Sequence, residues 1–383
     1  MYYAKHSSMN GIIICIGGIK CWMNCVLNIN FAYETTPERA LLPLIQTFFM
    51  PIRLYSLLLI MWLSSFVQGQ KLDSTYAERL GFPKGARVLI LHVDDAGMSF
   101  DSNEGAEMAL TKGVSTSVSV MMPCPWVPGF VQFLKTHPEI DAGLHLTLTS
   151  EWDYYKWSPL SGRKNTPGLV DTGGYFWSTV EAVVKHATAD EVEMEMTAQL
   201  EKARSMGFEP THLDTHMGTV YGSTEFLMRY IRLGMKNHIP VMLPGGADVL
   251  IQSQMMLPDA SIQSMRMIGR QLWAAGLPVL DDLHNYSYGW DIPADIASDD
   301  KKLDEYKTAK YIEALKTLKP GLTMMIMHCT ETGNEFKYIS NSGPTRKGDL
   351  LAMMNPAFKK AIMDQGIILT TWREVKQRRD KIR

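Results

Sequence analysis

Between Arg87 and Thr371 short apolar runs alternate with longer stretches of helical period, and the alternation predicts an α/β chain. The apolar runs predict strands over Arg87–Val93, Val114–Met121, Ala142–Thr149, Thr211–Thr215, Ile239–Leu243, Leu277–Asp281, Leu322–His328 and Ile367–Thr371. Helical patterns fill most of the gaps, as in DEVEMEMTAQLEKARSMG (Asp190–Gly207) and LDEYKTAKYIEALKTL (Leu303–Leu318). In the first run Leu89, Ile90, Leu91 and Val93 leave neither alternate position polar, which is the mark of a strand covered on both faces in a parallel sheet. No Gly/Ser linker or repeat interrupts the chain after Gln70, so residues 70–383 read as one domain with its core over about 87–375. Seven or eight βα units suit a closed barrel better than an open doubly wound sheet. A barrel gathers its chemistry at the C-terminal ends of its strands.

Several of those strand ends are polar. VLILHVDDAGMS ends in Asp94 and Asp95, which repel one another unless a cation or a proton is shared between them. A helix N-cap or turn and a catalytic or metal site both account for the pair at this stage. In AGLHLTLT, Gly143, His145 and Thr147 share one face, and the bland reading of His145 is a hydrogen-bonded core histidine. In PTHLDTHMG the alternation puts His212, Asp214 and His216 on one face, either as a buried polar ladder or as an ion site in which a carboxylate orients an imidazole. GLTMMIMHCTET ends in His328, a cap, a loop residue or a site residue. Singly these signals are weak, but four strand ends delivering Asp or His to one mouth predict a functional site.

Composition changes the picture mainly by exclusion. The 383-residue chain carries a formal charge of −2, and only the tail KQRRDKIR concentrates Lys and Arg, so no nucleic-acid surface is expected. Residues 1–49 lack clear periodicity and hold Cys15, Cys21 and Cys25. From Met50 the chain reads as a secretory signal peptide over 50–69: a basic Arg53, an apolar stretch Leu54–Val67, and Val67-Gln68-Gly69 as the cleavage site. That stretch is shorter than the roughly 20 residues of a membrane span, so no stable membrane insertion is expected. The reading places the true start at Met50, treats 1–49 as an over-extended segment, and predicts a secreted or periplasmic protein. The mature chain would keep only Cys124 and Cys329, expected as buried free thiols.

The motifs together resemble the YdjC-like carbohydrate deacetylases, the group that includes chitooligosaccharide deacetylases. The resemblance rests on HVDDAGMS, GLHLTLT, THLDTHMGTVY, MIMHC and the closing GIILTTWREV, in that order. It implies a distorted TIM-like (β/α) barrel with seven or eight strands and a divalent metal, Zn or Mg, held by Asp95, His145 and His216. Asp94 would be the general base and His328 the general acid, with His284 as the alternative acid. The implied substrate is an N-acetylated sugar or oligosaccharide; the oligomeric state stays open, a homodimer among the options. Departures from the family wording are Ala96 and Met98 after the aspartates, Met217 and Gly218 after His216, and Cys329 and Thr330 after His328.

The chemistry fits these residue types independently. One carboxylate and two neutral imidazoles suit a transition ion that leaves positions open to water and a carbonyl oxygen. A second carboxylate then accepts the water proton and an imidazolium protonates the departing amine. His212 and Asp214 would orient the ligands. The insertion with Trp152, Tyr154, Tyr155, Trp157, Tyr175, Phe176 and Trp177 serves either as a platform for sugar rings or as loop packing, with Tyr286, Tyr288 and Trp290 opposite. Rival readings are another metal-assisted hydrolase, cutting a phosphoester or a different amide, and an inactive carbohydrate-binding protein.

Overall fold

The apolar run before the aspartate pair forms β1 (Arg87–Ala96), buried along nearly its whole length, in a computed structural model that describes residues 74–382. The segment 1–49, the start at Met50 and the leader 50–69 lie outside the described residues. The other strands are β2 (Ser117–Val120), β3 (Ala142–Leu146), β4 (Leu213–Thr215), β5 (Asp282–His284), β6 (Gly321–Met327) and β7 (Ile368–Leu369). All pairings are parallel, in the order β4-β3-β2-β1-β6-β5, and β7 joins β1 at Val88 and Leu89. Helices connect successive strands, as the alternation requires.

Two expected strands shrink. Ile239–Leu243 is reduced to a bridge between Val241 and Leu213, and Leu277–Asp281 to one between Leu280 and Pro244. Pro240, Pro244 and Pro278 lack the N–H that a continued ladder needs, which is the physical reason for both losses. The two bridges still carry parallel pairing from β4 toward the chain that enters β5.

Alternation along the strands separates two environments. Val88 and Ile90 of β1 share a buried cluster with Leu322, Met324 and Ile326 of β6, Leu283 of β5, and Trp372. His92 and Asp94 continue the same face of β1 upward, so the inside of the sheet changes from apolar to polar toward the strand ends. The helix Phe100–Thr111 can press against the chain that follows β6 because residue 105 is glycine. A Cβ there would sit 2.5 Å from the Cα of Thr330. Cys124 and Cys329 are both buried and free, as expected. Among the described residues, no helix is long and apolar enough to cross a membrane.

Candidate metal centre

Consecutive residues of a regular strand point to opposite faces, yet Asp94 and Asp95 both reach one cluster. The cause is a register slip of β1 against β2 between Val93 and Ala96, with Asp95 in the left-handed region at φ 69°. Asp tolerates that conformation better than most residues, because its short side chain bonds locally. Asp95 Oδ1 then lies 3.2 Å from His145 Nε2 on β3, while Asp94 Oδ2 lies 3.8 Å from the same nitrogen.

His216 closes the cluster from the turn after β4. Met217 and Gly218 both adopt positive φ there and fold the chain back immediately past the histidine. Its Nδ1 is 3.4 Å from Asp95 Oδ1 and 3.3 Å from His145 Nε2. Three ligand atoms 3.2–3.4 Å apart match the roughly 3.3 Å expected when each is about 2.0–2.1 Å from one tetrahedral ion. All three residues are buried, and Asp95 Oδ1 lacks a well-aligned hydrogen bond. The donor set fits a divalent cation.

The far nitrogen of each imidazole meets a carboxylate. His145 Nδ1 is 2.8 Å from Asp214 Oδ1, and His216 Nε2 is 3.0 Å from Glu151 Oε2. This arrangement places the ring proton on the outer nitrogen and aims the lone pair inward. Burial pulls both histidines toward the neutral form, but the carboxylates outweigh it: Asp214 and Asp94 hold His145 well above the usual histidine range, and Glu151 and Asp95 hold His216 at about 9. Without an ion, protons supply the positive charge that these carboxylates demand. Burial raises Asp95, yet the guanidinium of Arg346, 2.7 Å from its Oδ2, helps hold it well below the usual carboxylate range.

Asp94 stands beside the triad. Its Oδ1 is 3.2 Å from His92 Nε2 and its Oδ2 is 3.9 Å from His328 Nε2. His92 also contacts Asp214 at 2.8 Å, so one buried imidazole joins the two aspartates. His328 follows β6, is partly exposed, and lies under the Tyr288 ring at 4.7 Å; burial lowers its pKa. Its backbone N–H donates to Asp349, which also pairs with the buried Lys307 at 2.6 Å and accepts from Tyr311. Arg346 and Asp349 sit one turn apart on the helix Gly343–Met354, so a single helix grips the ends of β1 and β6.

The structure thus brings Asp94, Asp95, His145, His216 and His328 together, with Asp214 against His145. His212 sits lower, stacked on Trp372 with its edge toward His92, and its Nε2 has no hydrogen bond. His284 is not brought to the site. It lies on the opposite face of β5 from the core residue Leu283 and lines a separate open depression of about 640 Å³ with Trp290 and Lys310. The inner aromatic residues pack rather than stand free: Trp152 and Tyr288 flank the Arg346 guanidinium, and buried Trp157 faces the His216 ring. Sequence reasoning missed His92, Glu151, Arg346 and Asp349. Only His92 carried a signal, two residues before Asp94 on the same strand face.

The fold and the buried Asp/His cluster define a parallel α/β protein with a candidate metal centre at its strand ends. Residues 88–364 match the YdjC-like protein family, and the chain belongs to it. A carbohydrate deacetylase of Thermus thermophilus is 32% identical over 300 residues, covering 78% of this chain and 97% of that protein. A chitooligosaccharide deacetylase of Yersinia enterocolitica is 31% identical over 135 residues, 34% of this chain and 49% of that one. A crystal structure from Enterococcus faecalis, described as a cellobiose-phosphate cleavage protein, superposes with a TM-score of 0.60 at 20% identity. It covers 75% of this chain and 98% of that one, a likeness of fold.

Proposed function

We propose that the protein hydrolyses the acetamide of an N-acetylated sugar or oligosaccharide at a divalent cation held by Asp95, His145 and His216. The carrying observation is the convergence of Asp95 Oδ1, His145 Nε2 and His216 Nδ1 in a buried cluster. The deacetylase names of its relatives point to the same substrate class. A cation there would make a neighbouring water acidic near neutral pH and draw electron density from the acetyl carbonyl. Asp94, beside the triad, accepts the proton of the attacking water. The water oxygen bonds to the carbonyl carbon, the C–N bond breaks, and His328 delivers a proton to the departing amine, leaving acetate and a free amino sugar. His92 and Arg346 hold the two aspartates in place through this sequence.

The parallel ladder and its two bridges favour a distorted barrel, with residues 70–383 acting as one domain exported after cleavage near Gly69. N-terminal sequencing of the native protein that found residues 1–49 intact would overturn the export reading. The function is tested by metal analysis of purified protein coupled to acetate release from a panel of N-acetylated sugars. Phosphate release from sugar phosphates in place of acetate would move the reaction to the rival hydrolase class. Sugar binding without metal or turnover would make the chain a binding protein.

A further inference from the structure

Trp152, Trp157 and Tyr288 are occupied in holding the site, whereas two other rings at the strand-end side of the sheet stand partly exposed. Phe100 and Trp126 are 48% and 43% exposed, with ring centroids 5.1 Å apart at 60°. Among the described residues no other aromatic ring pair has both members among the exposed large hydrophobics. Both residues open helices at the strand-end side of the sheet, Phe100 after β1 and Trp126 after β2.

The pair is mounted rigidly on the turn that carries Asp95. Trp126 donates its backbone N–H to Gly97 O at 3.1 Å. The buried Asn103 accepts from Gly97 N at 2.7 Å and donates to Trp126 O at 3.0 Å, tying both strand ends together. Gly97 takes φ +83° with Val127 so close that a Cβ would meet its Cγ2 at 2.6 Å. On the other side of the turn, Tyr155 donates its hydroxyl to Met98 O at 2.6 Å. Phe100 is five residues from Asp95, so at most about 17 Å of extended chain separates them.

Capping does not account for Trp126. Trp126 is the N-cap of the helix Val127–Thr136 and makes no side-chain capping bond, whereas Ser99 caps the neighbouring helix by accepting from Ser102 N. The ring of Trp126, a residue 43% exposed, is held by neither a capping bond nor full burial in the core.

We infer that Phe100 and Trp126 form an outer subsite that stacks on a pyranose ring one or more units away from the acetamide being cut. Such a subsite favours an oligosaccharide over a free monosaccharide. This rests on the sugar-deacetylase reading, and it predicts that chain length, not only the reacting unit, determines efficiency. The probes are N-acetylglucosamine and its β-1,4-linked disaccharide and tetrasaccharide.

In the unaltered protein kcat/KM for acetate release should rise with chain length. Phe100→Ala/Trp126→Ala should remove most of that rise, lowering the tetrasaccharide value by about three- to tenfold through KM while the loss on the monosaccharide stays below about twofold. Equal losses on both substrates, or no rise with length in the unaltered protein, would overturn the subsite. If no sugar releases acetate, the deacetylase reading fails, and calorimetric affinity for the tetrasaccharide still decides the pair. Weaker binding in the double variant keeps the subsite, and unchanged binding removes it.

Discussion

Two adjacent aspartate pairs lie in or against the sheet, Asp94–Asp95 within β1 and Asp281–Asp282 at the start of β5, and they do different work. Asp281 accepts backbone N–H bonds from Tyr76, Ala77 and Leu322 at 2.8–3.0 Å, and Asp282 accepts from Leu250, Ile251 and Leu283. Their partners are neutral amides, which fasten the helix Tyr76–Arg79 and the helix Val249–Met255 to the sheet. Burial dominates there and pushes Asp281 up to about 6. Around Asp94 and Asp95 the partners are imidazoles and a guanidinium, and Asp95 is held low instead. An aspartate doublet is thus not a site in itself; the charge of its neighbours makes it one.

Breaking the first pair should have the largest effect. Asp95→Ala, His145→Ala and His216→Ala should each reduce bound metal from about one equivalent to near zero and abolish turnover, read by metal analysis after desalting. Full occupancy in any one of them removes that residue from the ligand set. Asp94→Asn should keep the metal and lower kcat by roughly 10²–10⁴. Near-normal turnover would place the base elsewhere.

The histidine beside each pair sharpens the contrast. His328→Ala should lower kcat for the amide by roughly 10²-fold and for an acetyl ester of the same sugar by less, because an alkoxide leaves more readily than an unprotonated amine. Equal losses would assign His328 to the carbonyl instead. His284→Gln, beside the second pair, should leave both rates within about twofold.

The smallest effect on activity comes from the second pair. Asp281→Asn should leave turnover intact and cost about 1–3 kcal/mol of stability, since an amide group would face the N–H donors. The sign of its pH dependence follows from the raised pKa. The folded protein binds this proton more tightly than the unfolded chain, so the contribution is fully present below about pH 4 and is lost as pH rises through about 6. The variant's deficit, measured by urea unfolding, should therefore shrink from pH 4 to pH 7. A deficit that grew with pH would contradict the burial argument.

Much of this arrangement was legible in the chain. β1, β3 and β6 stand out as apolar runs, and the polar residues at or after their ends, Asp94, Asp95, His145 and His328, do converge. The short strands were less legible, because Pro240, Pro244 and Pro278 break ladders inside segments whose side chains still read as β. His216 was expected on a strand face and lies in the turn beyond it, where the left-handed Met217 and Gly218 set its direction. Arg346 and Asp349 could not be read at all. They come from a helix some 250 residues after β1, and no local pattern marks a helical residue that reaches across to another element's end.

That helix has a consequence for motion. Opening Gly343–Met354 would strand a buried arginine, a buried aspartate and the Lys307 ammonium in one event, each without its counter-charge. Such an opening costs far more than fraying, so the backbone amides of this helix and of His328 should exchange with solvent together and as slowly as the central strands. The active mouth is then anchored in the last part of the molecule to loosen.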